Sequence, residues 1–400
     1  MKKRLFIAIQ YLEIGGAERS LIGLLNAIDY TRYEVDLFVY DHRGEFMSLI
    51  PKAVRLLPEN PAYAAINRPI KEIVKEGHFG VALARIVSKI QYAIYYKNHH
   101  PKEGSGIFQY VADCVTPVLP SLKGYGTYDL AISFLTPHNI VRDKVDAKRK
   151  YAWIHTDYST ISVNAPKELP VWKSFDRILA VSEGVKKTFL QTFPTLTDKV
   201  EVMENILSPA FVREQADMRN VSAEMPTIEG ELRFCSVGRY TQAKNFDNVP
   251  FICQKLVEKG LKFKWYIIGY GGDEELIKKN IRQAEMEEVC ILLGKQSNPY
   301  PYMKACDIYI QPSRFEGKAV TVREAQILGK PVIITRFATS SAQLTENVDG
   351  IIVPMDNDGA AEGIFDFANN QALQAEMTAY LKSHDYGNES EIKKLEFHPS

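Results

Sequence analysis

The stretch CDIYIQPSRFEGKAVTVREAQILGKPVIIT, residues 306–335, decides the fold. It opens on an apolar run (306–312), crosses a polar loop, and enters TVREAQILG, where a helix is expected to begin near Ala319. It closes on KPVIIT (330–335), a second strand-like run. Strand, helix and strand in that order imply a mostly parallel sheet covered on both faces. Outward from this unit the same alternation continues in LRFCSVG (232–238), KFKWYIIG (262–269), EVCILLG (288–294) and GIIVP (350–354), with DEELIKKNIRQAE reading as a helix.

The first half repeats the pattern. RLFIAI (4–9), YEVDLFVY (33–40), YDLAISF (128–134), YAWIH (151–155) and DRILAVS (176–182) are strand-like, and AERSLIGLLNAI places Leu21, Leu24, Leu25 and Ile28 at helical spacing. The alternation restarts after VEVMENILSPAF, and the polar stretch 214–231 reads as the inter-domain region. A chain of 400 residues suits two α/β domains of comparable size rather than one core. Residues 68–125 do not fit a minimal α/β unit. They hold eight Lys/Arg against four Asp/Glu and read as an extra helical hairpin, or as a surface for anionic lipid or a lipid-linked acceptor.

Composition narrows the function classes. Lys plus Arg and Asp plus Glu both number 49, so no global field attracts nucleic acid. The five cysteines are scattered, with no C-x-x-C pair, and read as free thiols of a reducing compartment. The basic start MKKRLFIAIQ has too short an apolar stretch for a signal peptide, and no run approaches the ~20 apolar residues of a membrane span. The expected location is cytoplasmic, peripheral on the inner face of the plasma membrane if the basic segment binds lipid.

Four stretches are placed to do chemistry, since parallel sheets bind ligands where strands end and helices begin. In PSRFEGKAVTVREAQILG, Glu316 and Glu324 lie eight residues apart, on the loop and in the helix, and suit the hydroxyls of a sugar. The amides from Gly317 through Lys318 and Ala319 to Val320 would point at a phosphate or hexose. In SVGRYTQAKN (236–245), Arg239 and Lys244 flank a short loop and suit a diphosphate; no glycine precedes Lys244 in the pattern of a P-loop. The third stretch is Gly15–Gly16 with Glu18, and the fourth is WIHTD (153–157) with His155 and Asp157. MDND (355–358) contains a D-x-D pair but reads as a turn and helix cap rather than a metal site.

These stretches in this order resemble the family 4 retaining glycosyltransferases, through GGAERS (15–20), IHTD (154–157), VGRYTQAKN (237–245), PSRFEGKAVTVREAQILGKPVI (312–333) and DGIIVP (349–354). The resemblance implies the GT-B fold, two Rossmann-like domains facing a cleft. The domains would be 1–207, binding acceptor, and 208–375, binding the nucleotide-sugar, with 376–400 crossing back to the first. It implies that Arg239 and Lys244 hold the donor diphosphate, Glu324 the ribose, and Glu316 the transferred hexose. Gly15 and Gly16 would let the first domain's loop approach the donor, His155 would sit beside the sugar, and Gly294 and Lys295 would line the base. Family members normally transfer without a metal, and no cofactor is expected beyond the substrate.

The resemblance departs at Lys318, where the family's loop reads E-G-F-P, and this leaves the donor sugar open. The function implied is transfer of a hexose or N-acetylhexosamine from a UDP-sugar to a glycan or lipid-linked acceptor in cell-surface polysaccharide assembly. The alternatives are a nucleotide-sugar 2-epimerase of the same fold and a non-catalytic nucleotide- or glycan-binding module.

Overall fold

A computed structural model describes residues 2–316 and 319–395. The chain forms two compact units, one from residues 1–206 with 389–400 and the other from 207–388. The first is built on β1 (Lys3–Ile9), β2 (Tyr33–Val39), β3 (Arg55–Leu56), β4 (Leu130–Ser133), β5 (Lys150–Ile154), β6 (Arg177–Ala180) and β7 (Val200–Val202). All pairings are parallel, in the order β3-β2-β1-β4-β5-β6-β7. The chain therefore leaves β1 in one direction and returns to its other side at β4. Leu5 to Ile9 are all buried, the unbroken apolar run expected of a strand with layers on both faces.

The helix Gly16–Ala27 buries Leu21, Leu24 and Leu25, as their spacing predicts. It lies close to the chain's exit from this sheet. A Cβ on Gly23 would stand 2.1 Å from the Ile206 carbonyl oxygen, and Ser20 Oγ donates to Asn205 Oδ1 at 2.6 Å. Between β3 and β4 the 68–125 segment folds as the expected helices, Ile70–Lys75, Phe79–His99 and Ile107–Val115. The latter two pack through Tyr92 and Tyr110, whose ring centroids lie 5.5 Å apart.

The second unit holds β8 (Leu232–Val237), β9 (Phe263–Ile268), β10 (Cys290–Gly294), β11 (Ile308–Gln311), β12 (Val332–Thr335) and β13 (Ile351–Val353). These are again parallel, in the order β10-β9-β8-β11-β12-β13, so strand order reverses between β8 and β11.

Two expectations about boundaries change. The stretch 214–231 lies inside the second unit, because Ala216, Val221 and Met225 are buried in a core cluster with Tyr302 and Met303. The return to the first unit starts at Glu389 rather than at 376, because Met377 and Leu381 of the helix Gln371–Ser383 are buried in the second unit's core. Beyond it, Lys394 Nζ donates to the Val202 carbonyl at 2.9 Å and Glu391 Oε2 accepts from the Glu204 amide at 2.8 Å. Among the described residues no helix is long and apolar enough to cross a membrane.

At the C-terminal end of the second sheet the backbones after β8 and β9 nearly touch. A Cβ on Gly269 would stand 1.8 Å from the Gly238 carbonyl oxygen. Gly269→Ala is therefore expected to cost about 2 kcal/mol or more by overpacking, measured by urea unfolding. Wild-type stability in that variant would contradict this packing.

Candidate functional site

The reversal of strand order in the second unit brings the loops after β8 and β11 side by side, the position where open α/β sheets bind ligands. Lys244 and Glu316 meet there, Lys244 Nζ donating to Glu316 Oε1. The same carboxylate oxygen accepts from Ser313 Oγ at 2.7 Å and from Gln311 Nε2 at 3.3 Å. Its position is thus set by three donors, and both side chains keep some exposure, 23% for Lys244 and 10% for Glu316.

The backbones of the two loops are tied as well. Asn245, at φ 61, donates from Nδ2 to the Pro312 carbonyl at 2.9 Å. The Arg314 amide donates to the Ala243 carbonyl at 2.9 Å. The Arg314 guanidinium grips both oxygens of Asp247 at 2.8 Å each. Arg239, five residues before Lys244, is exposed and has no side-chain hydrogen bond or ion pair among the described residues.

The remaining expectations in this unit divide. Glu324 is fully buried in the helix Val320–Ile327, its Oε1 accepting from Tyr300 OH at 2.7 Å. The Ala319 amide, expected to face a phosphate, donates instead to Gln343 Oε1 at 3.0 Å, because that side chain reaches the helix N-terminus first. Gly294 takes φ +69 at the end of the edge strand β10, and Lys295 Nζ stands 5.1 Å from the centroid of the Tyr270 ring. Gly317 and Lys318 lie outside the described residues. Asp356 of the D-x-D pair caps the helix Asn357–Asn369, its Oδ1 accepting from the Gly359 amide at 2.8 Å.

In the first unit, Gly15 caps the helix Gly16–Ala27, with Glu18 buried in the first turn. A Cβ on Gly16 would meet nothing within 4 Å, so the fold itself does not require glycine there. Gln10 Nε2, after β1, donates to the Thr136 carbonyl, after β4, and so bridges this sheet's own reversal point. Asp157 serves a turn, accepting from the Ser159 amide at 2.9 Å and from Ser159 Oγ at 2.7 Å.

His155 follows β5 and lines a cavity of about 180 Å³ with Phe108, His138, Trp153, Glu168 and Trp172. The residue is partly exposed, yet its Nε2 and the neighbouring Trp153 Nε1 are buried without a hydrogen-bond partner among the described residues. Unpaired buried polar atoms are costly and rare, so two beside one cavity mark it as a place for a polar ligand. Burial pushes the His155 imidazole down to about 3. It does the same to His138, with neighbouring His155 adding to the effect, so both rings are neutral near pH 7. Burial pushes the Glu168 carboxyl up to about 7, against the opposing hydrogen bonds of Trp172 and Tyr158.

Comparison with known proteins fits this division. Residues 217–384 match the family described as glycosyl transferases group 1. The second unit, rather than the chain as a whole, thus carries the likeness to the group 1 glycosyltransferases. It is 28% identical over 224 residues to an uncharacterized glycosyltransferase of Haemophilus influenzae, covering 55% of this chain and 60% of that protein. It is 26% identical to the N-acetylgalactosamine-N,N'-diacetylbacillosaminyl-diphospho-undecaprenol 4-alpha-N-acetylgalactosaminyltransferase of Campylobacter jejuni, over 46% of this chain and 48% of that one. The chain thus spans about half the length of the curated relatives it matches. Anabaena HepE, solved with UDP and glucose, superposes with a TM-score of 0.64 at 15% identity over 98% of both chains. Likeness at that identity carries the fold, which is the two-domain GT-B fold.

The sequence motifs single out Lys244 and Glu316, which the structure brings together, but not the residues that support them. Gln311 and Ser313 are polar residues at the end of an apolar strand, a signal visible in the sequence. Tyr300, His138 and Glu168 are brought in only by tertiary packing.

Glu168 yields a prediction. Its folded value, about 7, lies above the ordinary 4.5, so its contribution is fully present below pH ~4.5 and lost as pH rises through ~7. Glu168→Gln is expected to gain up to about 3 kcal/mol relative to wild type between about pH 5 and pH 8. Urea melts at the two pH values measure this, and a pH-independent difference would contradict it.

Proposed function

We propose that the chain is a retaining glycosyltransferase that moves a hexose or N-acetylhexosamine from a UDP-sugar to a glycan or lipid-linked acceptor in polysaccharide assembly. The observation that carries this reading is the fixed Lys244–Glu316 pair at the second unit's reversal point, with Arg239 on the same loop. A diphosphate would take Lys244 and Arg239, and the Glu316 carboxylate would be left to accept from sugar hydroxyls. Glu324, already anchored by Tyr300, is assigned to the ribose, and Gly294 and Lys295 to the base.

Support also comes from the relatives' own chemistry. HepE was solved with UDP and glucose, and the C. jejuni relative is named for transfer to a diphospho-undecaprenol acceptor. In the proposed reaction the acceptor hydroxyl oxygen bonds to the anomeric carbon on the face from which the diphosphate departs. The anomeric C–O bond breaks, and the hydroxyl proton passes to the departing phosphate oxygen. Lys244 and Arg239 stabilise the charge that develops there, so the reading requires neither a protein nucleophile nor a metal. The neutral His155 imidazole is assigned to a sugar hydroxyl in the first unit's cavity, as a hydrogen-bond partner rather than an acid.

Arg239→Ala and Lys244→Ala are expected to cut UDP release by roughly 100-fold or more, with Arg239→Ala melting as wild type does. A UDP-release screen across donor sugars, with and without extracted lipid-linked glycans, measures this. Unchanged turnover in both variants would remove the diphosphate assignment, and conversion of UDP-N-acetylglucosamine without an acceptor would favour epimerisation instead. Gly16→Ala should leave stability within about 0.5 kcal/mol of wild type. It should nevertheless slow transfer by on the order of 10-fold, because this reading assigns Gly16 to close approach by the donor and the fold itself leaves room for a methyl there. Wild-type turnover in Gly16→Ala would show that this loop does not approach the donor.

A further inference from the structure

The helix Phe79–His99 is apolar on two opposite faces. One face buries Val81, Ala84, Ser88 and Tyr92 in the first unit. The other carries Phe79, Leu83, Ile86, Val87, Ile90 and Ile94, exposed by 38–66%. At helical spacing these six fall within an arc of about 100° and run for about 22 Å. Val118, also exposed, lies beside Gly80 and widens the stripe. A helix on the surface of a soluble protein ordinarily turns polar residues outward, and a contiguous apolar stripe marks a contact surface.

Charge identifies the partner. Residues 77–102 contain no Asp or Glu but include Arg85, Lys89, Lys97 and Lys102. Arg85 is turned inward to the Arg68 carbonyl, whereas Lys89, Lys97 and Lys102 are exposed. The two acids that bracket the segment are engaged elsewhere. Glu76 pairs with Arg68 at 3.0 Å, and Glu103 accepts from the Ser105 amide at 2.7 Å and from the Ser162 amide.

We infer that this stripe seats the chain on an anionic lipid bilayer, its apolar side chains entering the headgroup–acyl boundary while the lysines reach lipid phosphates. A second copy fits less well. Two stripes face to face would gather Lys89, Lys97 and Lys102 of both copies with no Asp or Glu within residues 77–102 to pair with them. The inference stands independently of the donor chemistry, because it uses neither unit's ligand residues.

The test is flotation of the full chain with phosphatidylcholine vesicles and with mixed phosphatidylcholine–phosphatidylglycerol vesicles. Binding is expected only to the mixed vesicles, fading as salt screens the lysines. The double variant Leu83→Glu/Ile90→Glu should lose ~100-fold in partitioning. Lys89→Glu/Lys97→Glu, which keeps the apolar stripe, should lose ~10-fold or more on anionic vesicles with an unchanged melting temperature, and it decides the matter if the first variant folds poorly. No flotation of the wild type, equal binding to neutral vesicles, or wild-type binding by folded variants would overturn the inference. So would a wild-type dimer in sedimentation that Leu83→Glu/Ile90→Glu converts to monomer, because the stripe would then be a self-interface.

Discussion

The ion pair between Lys244 and Glu316 is the constraint on which the functional account depends. It joins two loops that are 72 residues apart in sequence and adjacent only because β11 returns to the free side of β8. Neither charge is placed by its own side chain alone. Asn245 and the Arg314 amide tie backbone to backbone, while Ser313 and Gln311 hold the carboxylate. The loop that carries the cation is thereby fixed before an anion arrives, so that only the Lys244 side chain has to exchange partners, and preorganised charge is the largest single contribution to many enzymatic rate enhancements.

The first unit uses the same topology for different chemistry. Its sheet also reverses beside the first strand, yet the side chains near the ends of β4 and β5 are aromatic rings and neutral imidazoles instead of paired charges. Burial keeps His138 and His155 unprotonated and Glu168 close to half-protonated at neutral pH. Such a cavity favours a polar but uncharged ligand, held by hydrogen bonds and ring faces. An anionic nucleotide would find no charge complement there.

Much of the fold was legible because a buried parallel strand writes an unbroken apolar run. The eleven runs read as strands are all strands, and what was not read separately is the short β3, whose Arg55 and Leu56 are both exposed, together with β7. The unit boundaries were harder to see. The polar composition of 214–231 suggested a linker, but Ala216, Val221 and Met225 are buried in the second unit's core and dock it there. Among the candidate side chains, spacing singled out Arg239, Lys244 and Glu316 in the second unit and His155 in the first, since each follows a strand closely. It could not show that Glu324 points inward to Tyr300, nor that Gln343 takes the Ala319 amide, because those partners come from distant segments.

The central claim concerns where the diphosphate sits, and the most direct measurement is a structure of the chain crystallised with UDP. The account predicts both phosphates within hydrogen-bonding reach of Lys244 Nζ and the Arg239 guanidinium, at the C-terminal ends of β8 and β11. UDP bound elsewhere, with the Lys244–Glu316 pair untouched, would contradict it.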